Sequence, residues 1–205
     1  MVLPSAVCRL RLFFFGPLFA LLAGCSNIAT QQQASPYVHL SPSLAWHLPS
    51  LSVLPGDFQV TQQAQAHYQG DSFELVFQIE KKHNQLAIAA MAPNGLLLIQ
   101  LRYDGQHVTG SVSPLIRKKV SLPYLVSDLM LAFGKADQLR KALDTSDIRL
   151  SESDHQRVIS NQGQPLITIS YNTQKDGANW PKNVVYNNKA LGYSLTIETL
   201  SQQPL

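Results

Sequence analysis

From Asp57 onward the chain alternates apolar and polar residues. Phe58, Val60, Ala64, Ala66 and Tyr68 fall at period two, and Phe73, Leu75, Phe77 and Ile79 repeat the pattern, as strands do when one face packs and the other meets water. Gln69-Gly70, His83-Asn84, Asn94-Gly95 and Asp104-Gly105 separate the runs. Asn-Gly and Asp-Gly tolerate the positive φ of two-residue type I′ turns, so consecutive strands are predicted to pair antiparallel in a meander of about five strands ending near Ser113. In the last full run Leu97, Ile99, Leu101 and Tyr103 share one face. Leu96, Leu98, Gln100 and Arg102 share the other, which turns polar toward its end.

The period then changes. Ser121-Leu122-Pro123 offers a helix start, and Leu125, Val126, Leu129, Met130 and Phe133 follow at helical spacing until Gly134. A second short helix is predicted at about 137–143. Strand signals resume at 148–150, 157–160, 165–171, 184–186 and 193–200, with Asn161-Gln162-Gly163 as a further hairpin turn. The predicted fold class is mainly β (α+β): a curved antiparallel sheet of about ten strands with a helical lid over 125–133. Phe77, Ile79, Ile88 and Ile99 are expected on the concave face, and Leu125, Leu129 and Phe133 on the helix above it. Such a face either packs solid or encloses a cavity.

The amino terminus carries a different signal. Arg9 and Arg11 precede an apolar run over 12–23, which is too short for a spanning helix and ends in Leu21-Leu22-Ala23-Gly24-Cys25. This run resembles the bacterial lipoprotein signal with its lipobox. The resemblance implies cleavage after a 1–24 signal peptide, a lipidated Cys25, and an anchor made stable by several acyl chains. In the Gram-negative pattern, Asp after the cysteine retains the protein in the inner membrane; here that sorting position is Ser26. The implied location is the periplasmic face of the outer membrane. Residues 25–43, polar and rich in Gln, Ser and Pro, read as the lipidated cysteine and a flexible tether. The tract from Trp46 to Pro55 is expected to enter the 44–205 domain as a short helix or turn.

Charge and cysteine content narrow the function further. Of 16 basic and 13 acidic residues, two basic ones leave with the signal, so the mature chain carries 14 against 13. That near-neutral balance argues against nucleic acid as a partner. Cys8 lies in the signal and Cys25 becomes the anchor, leaving the domain without a disulfide or a thiolate ligand. His39, His47, His67, His83, His107 and His155 show no metal-ligand spacing, and no nucleophile elbow, Walker loop or dinucleotide fingerprint is present. No cofactor or metal is therefore expected. Asp154-His155 lies among turn residues and reads as solvated. A dispersed Ser/His/Asp triad is recognised by geometry alone, which leaves a lipid-modifying hydrolase as an alternative. Arg117-Lys118-Lys119 reads either as a solvated loop or as a contact for lipid phosphates.

Gly56-Asp57-Phe58, Leu86-Ala87-Ile88, Ala92-Pro93-Asn94-Gly95-Leu96, Pro123 with Leu129, Trp180-Pro181-Lys182-Asn183 and Leu195-Thr196-Ile197-Glu198 together resemble the LolB-like outer-membrane lipoproteins. With Leu54-Pro55-Gly56, Tyr103-Asp104-Gly105 and Asp128-Leu129, the chain is more closely similar to Gram-negative lipoproteins linked to aryl-polyene biosynthesis clusters. The likeness spans roughly 50–200 and lies in the order of weak motifs. It implies a LolA/LolB-like half-barrel whose apolar cavity takes acyl chains, with Phe77, Ile79, Ile88, Ile99, Leu125, Leu129 and Phe133 as its lining. It also implies a membrane-facing loop at Asn94, Leu96 and Leu97. The LolB pattern has an exposed leucine where this chain has Asn94, a departure that sets lipoprotein insertion apart from lipid binding. The expected function is non-enzymatic binding or transfer of a hydrophobic acyl or aryl-polyene-type lipid to the outer membrane. The expected partners are the membrane, that ligand and a periplasmic carrier protein. A structural or assembly lipoprotein with a solid core is the other alternative.

Overall fold

The alternating segments form strands, as their period requires. In the computed structural model, which describes residues 32–143, 147–172 and 180–205, β1 (Gln32–Ala34), β2 (Tyr37–Ser41) and β3 (Leu44–His47) come first, followed by a 3₁₀ turn over Leu51–Val53. The first meander is β4 (Phe58–Tyr68), β5 (Asp71–Lys82), β6 (Gln85–Met91), β7 (Leu97–Tyr103) and β8 (Val108–Val112). Helices α1 (Leu122–Phe133) and α2 (Ala136–Ala142) follow, then a second meander of β9 (Ile148–Glu152), β10 (Gln156–Asn161), β11 (Gln164–Asn172), β12 (Asn183–Asn188) and β13 (Tyr193–Pro204).

The last strand joins the two meanders. β13 pairs with β4 along its length, giving one antiparallel sheet in the order β1-β8-β7-β6-β5-β4-β13-β12-β11-β10-β9. Its edge strands β1 and β9 do not pair with each other, so the sheet is open. The mainly β class, the antiparallel pairing and the open sheet with covering helices are as the sequence pattern indicates. Eleven strands replace about ten because β1 adds to the edge beside β8.

Two expectations need correction. The tether does not extend to residue 43: β1 joins the main sheet, β2 and β3 form a separate hairpin, and Val38 and Leu40 are buried. Val38 and Leu40 alternate with exposed Tyr37 and His39, but the run is too short to stand out against the polar residues before it. The turns also differ in type. Gln69-Gly70 and Gln162-Gly163 hold both residues at positive φ, as type I′ requires. At Asn94-Gly95 and Asp104-Gly105 only the glycine is left-handed, at +83° and +94°. Their side chains build longer loops instead: Asn94 Oδ1 accepts from Leu96 N at 3.1 Å, and Asp104 Oδ1 accepts from Gln106 N at 2.8 Å and His107 N at 2.7 Å. The signal segment, Cys25 and Ser26 lie outside the described residues.

Helix α1 lies over the concave face and is held by hydrogen bonds toward both of its ends. At its carboxyl end the buried Arg157 donates to Leu131 O at 2.6 Å and Gly134 O at 2.8 Å, while pairing with Glu152 at 2.6 Å. Tyr171 Oη donates to Ala132 O at 2.8 Å. These bonds occupy carbonyls that a helix terminus leaves unpaired. Toward its start Tyr124 Oη accepts from His39 N at 3.0 Å on β2, and Trp46 Nε1 of β3 donates to Ala142 O at 3.1 Å beyond it. Tyr103 Oη donates to the Leu48 and Pro49 carbonyls at 3.0 and 2.9 Å, tying the incoming segment to the sheet.

Candidate functional site

Between α1 and the sheet lies a cavity of about 810 Å³, within the range of roughly 300–1,000 Å³ that small-molecule sites occupy. Its shape follows from residue sizes along the register. On the central strand β4, Ala64 sits between Leu75 of β5 and Ile197 of β13, and Ala66 between Phe73 and Leu195. Small side chains flanked by large ones leave a trough along β4. Above it, α1 turns Tyr124, Leu125, Asp128, Leu129 and Phe133 inward, a stripe at the three-and-four spacing of one helix face. Val126 and Met130, fully buried, do not line the cavity and instead fill the core.

Six of the seven candidate lining residues meet here: Phe77, Ile79, Ile88, Leu125, Leu129 and Phe133 all face the cavity. Ile99 does not. It is buried in the core beside Val112, its partner on β8. Leu98 takes its place in the lining because the β6–β7 register slips: Ala90 pairs with Ile99, but Met91 pairs with Leu97. The extra residue turns both Leu98 and Ile99 inward, which strict alternation does not foresee.

The far end is closed by aromatics. Trp180 packs edge-on to Phe58 at 4.7 Å and tilted on Phe133 at 4.3 Å between ring centres. The mouth lies between the β4–β5 hairpin and the loop 113–120, where exposed His67, Ser72, Arg117, Lys118 and Lys119 reach the lining. Lys119 bridges the two sides, 2.6 Å from Asp71 and 4.4 Å above the Phe73 ring. The basic run thus sits on the cavity rim. Leu96 and Leu97 are 49% and 44% exposed at the β6–β7 tip, with Asn94 exposed beside them, and Leu115 is 74% exposed on the neighbouring loop.

Polar groups enter the apolar lining at two places that sequence reasoning passed over. Gln62 occupies the one gap in the apolar alternation of β4; it is 3% exposed and donates to Thr199 Oγ1 at 3.3 Å. Asp128 is the larger anomaly, entering the sequence reading only as part of the resemblance. It is a lone carboxyl within an otherwise uncharged helix, and the surface it retains is turned to the cavity. Tyr193 Oη donates to its Oδ1 at 2.7 Å. Tyr186, fully buried, packs beside them with its ring stacked near that of Tyr193, 6.0 Å between centres; its hydroxyl makes no hydrogen bond of ordinary geometry but lies close enough to Asp128 to favour the charged carboxylate. Burial pushes the Asp128 carboxyl up to about 6, with the neighbouring Tyr186 and Tyr193 hydroxyls opposing the shift. Burial, reinforced by the Asp128 charge, raises both tyrosines. The signal that could have marked this cluster was a single carboxylate at an inward helical position with two tyrosines at inward strand positions.

Asp154 and His155 are exposed. Among the described residues no three His, Cys, Asp or Glu side chains group as metal ligands, and no helix is long and apolar enough to cross a membrane.

Fold and site together define an open antiparallel sheet roofed by a helix over an apolar cavity with a basic rim. The chain belongs to the family described as "Protein of unknown function (DUF3261)", whose model matches residues 59–201. No curated protein matches it. Among solved structures it is similar to a LolA superfamily protein from Nitrosomonas europaea, at 13% identity over 75% of this chain and 89% of that one, with a TM-score of 0.40. It is also similar to a putative outer membrane lipoprotein-sorting protein domain from Vibrio parahaemolyticus, at 10% identity over 72% and 85% of the chains and a TM-score of 0.36.

Proposed function

We propose that this protein is an outer-membrane lipoprotein, anchored through Cys25 with Ser26 as its sorting residue, that binds a hydrophobic acyl or aryl-polyene-type lipid and helps deliver it to that membrane. The cavity carries the reading. A volume of about 810 Å³ walled by Phe77, Ile79, Ile88, Leu125, Leu129 and Phe133 suits a hydrocarbon or conjugated chain, and each methylene moved there from water contributes roughly 0.8 kcal/mol. Lys118 and Lys119 on the rim suit an anionic end left at the mouth. Exposed Leu96 and Leu97 suit transient contact with a bilayer, and a periplasmic carrier would meet the protein on the same rim. The role is one of binding and transfer without catalysis.

The test is lipid co-purified with the protein and identified by native mass spectrometry, together with binding of an environment-sensitive acyl probe. Leu129, 6% exposed and inward-facing, is the residue to change. Leu129→Asp places a carboxylate against the chain at a cost of several kcal/mol, and probe binding should disappear. Undiminished binding by a folded Leu129→Asp variant would refute the reading.

A further inference from the structure

We infer that the Lys119–Asp71 pair is an exchangeable latch across the cavity mouth, and that the ligand is an acidic amphiphile whose carboxylate or phosphate takes the place of Asp71 on Lys119. This deepens the reading above and rests on the cavity accepting a hydrocarbon chain.

The pair joins the two sides of the mouth. Asp71 opens β5 at the hairpin tip, opposite Tyr68 of β4, while Lys119 lies on the loop before α1. Their side chains meet at 2.6 Å and both are exposed. An ion pair so open to water adds little net stability, so it exchanges readily for another of the same charge. Lys119 is also held in place independently of Asp71. Its ammonium stands 4.4 Å above the centre of the Phe73 ring, an attraction that persists when the carboxylate leaves. Its backbone N–H donates to Ile116 O at 2.9 Å, in a loop that begins with Ser113 N donating to Leu98 O at 2.8 Å. Phe73 pairs with Ala66 of the trough, so the ammonium stands over the trough entrance.

Charge at the mouth decides what replaces Asp71. Arg117, Lys118 and Lys119 all reach it, and among the described residues Asp71 is the one carboxylate paired with any of them. Glu74, on the same hairpin, already accepts from Gln63 Nε2 at 2.7 Å. This excess of cationic donors over carboxylates suits an anionic head. An ammonium head would meet like charges, and a neutral ester or alcohol has no charge with which to displace Asp71. Run backward, the exchange supplies a route for release, because Asp71 stays tethered beside Lys119 and competes with the head at high local concentration.

The full chain is held in non-ionic amphipol, which leaves the rim unshielded, with protein-free amphipol as the blank. An uncharged fluorescent acyl probe is displaced, at about pH 8 where the acids are ionised, by palmitic acid, by hexadecyl phosphate and by neutral monopalmitoylglycerol. At least one acid should bind about threefold or more tightly than the glycerol ester, and the stronger of the two tells a carboxylate ligand from a phosphate one. Asp71→Asn should raise the affinity of that acid about three- to fivefold and leave the ester unchanged, the size expected of freeing one exposed ion pair. Lys119→Gln should bring acid and ester to within about twofold, and in that background Asp71→Asn should add nothing. Both side chains are exposed, so these variants should fold as wild type does. If the acids bind no better than the ester, or if the Asp71→Asn gain persists without Lys119 and so reflects repulsion alone, the inference is wrong and the cavity reading survives. If none of the three displaces the probe, both fall.

Discussion

Replacing Asp128 by Asn should stabilise the protein, and only above a defined pH. In the folded chain burial raises this carboxyl from 3.8 to about 6. Between those values the folded protein keeps a proton that the unfolded chain has released, so stability falls as pH rises through the window. Above about 6 the full cost of the desolvated charge is present, and below about 4 none of it is. At 1.36 kcal/mol per unit the cost is on the order of 3 kcal/mol, and partial hydration from the cavity trims it toward 2. Asp128→Asn keeps the shape and an oxygen to accept from Tyr193 Oη, but carries no charge. The variant should therefore match wild type near pH 4 and exceed it by about 2–3 kcal/mol near pH 7.5. Urea unfolding of the chain from Cys25 onward, carrying Cys25→Ser and followed by the fluorescence of Trp46 and Trp180, measures the difference. A gap that is the same at both pH values, or a variant less stable near pH 7.5, would refute the assignment of a desolvated carboxyl at this position.

Three further outcomes are expected. Arg157→Met should destabilise the domain by about 3–5 kcal/mol, because Glu152 loses its partner and the Leu131 and Gly134 carbonyls are left open; thermal melts would show it, and a shift near zero would mean α1 is held otherwise. Cys25→Ser should abolish acylation and release the protein from the membrane fraction or leave an uncleaved precursor, read by metabolic labelling with a fatty acid; normal maturation would disprove the anchor. Asn94→Leu adds an apolar side chain beside exposed Leu96 and Leu97 and should increase vesicle co-sedimentation by at most about 1–2 kcal/mol with pocket affinity unchanged, whereas unchanged sedimentation would place this loop away from the bilayer.

The fold was legible because both meanders carry period-two alternation and α1 carries a clear helical stripe. Those two periods put Phe77, Ile79, Ile88, Leu125, Leu129 and Phe133 on facing surfaces, and the resemblance supplied the cavity between them. What escaped lies where a local rule is broken by a tertiary one. Leu98 lines the cavity because a register slip turns it inward, and no propensity encodes that slip. Gln62 looked like an interruption of an apolar face, yet its amide has a partner on β13 that is 137 residues away in sequence. Arg157 reads as an ordinary strand residue, and its burial depends on helix carbonyls supplied from residues 131–134. The Tyr186 and Tyr193 pair requires knowing that β12 and β13 are neighbours beneath α1. Each missed residue is set by a long-range partner, whereas each residue found is set by spacing within its own element.

That distinction bears on why the cavity stays open. A helix placed on a sheet normally settles until its inward side chains interdigitate with those below. Here the carbonyl end of α1 is held by Arg157 and Tyr171, Tyr124 near its start meets β2, and Asp128 on its inner face accepts from Tyr193 of β13, so its height above the sheet is fixed by hydrogen bonds at both ends and at one wall of the trough. Beneath it, Ala64 and Ala66 supply too little volume to meet Leu125 and Leu129. Side chains lining such a gap lose dispersion contacts on one side, and the loss persists because closing the gap would break buried hydrogen bonds to charged groups, each worth roughly 1.5–3 kcal/mol. The trough therefore keeps apolar surface that a hydrocarbon chain could cover, and the same anchors hold its shape. A binding and release cycle needs both properties, and a solid-core scaffold would need neither.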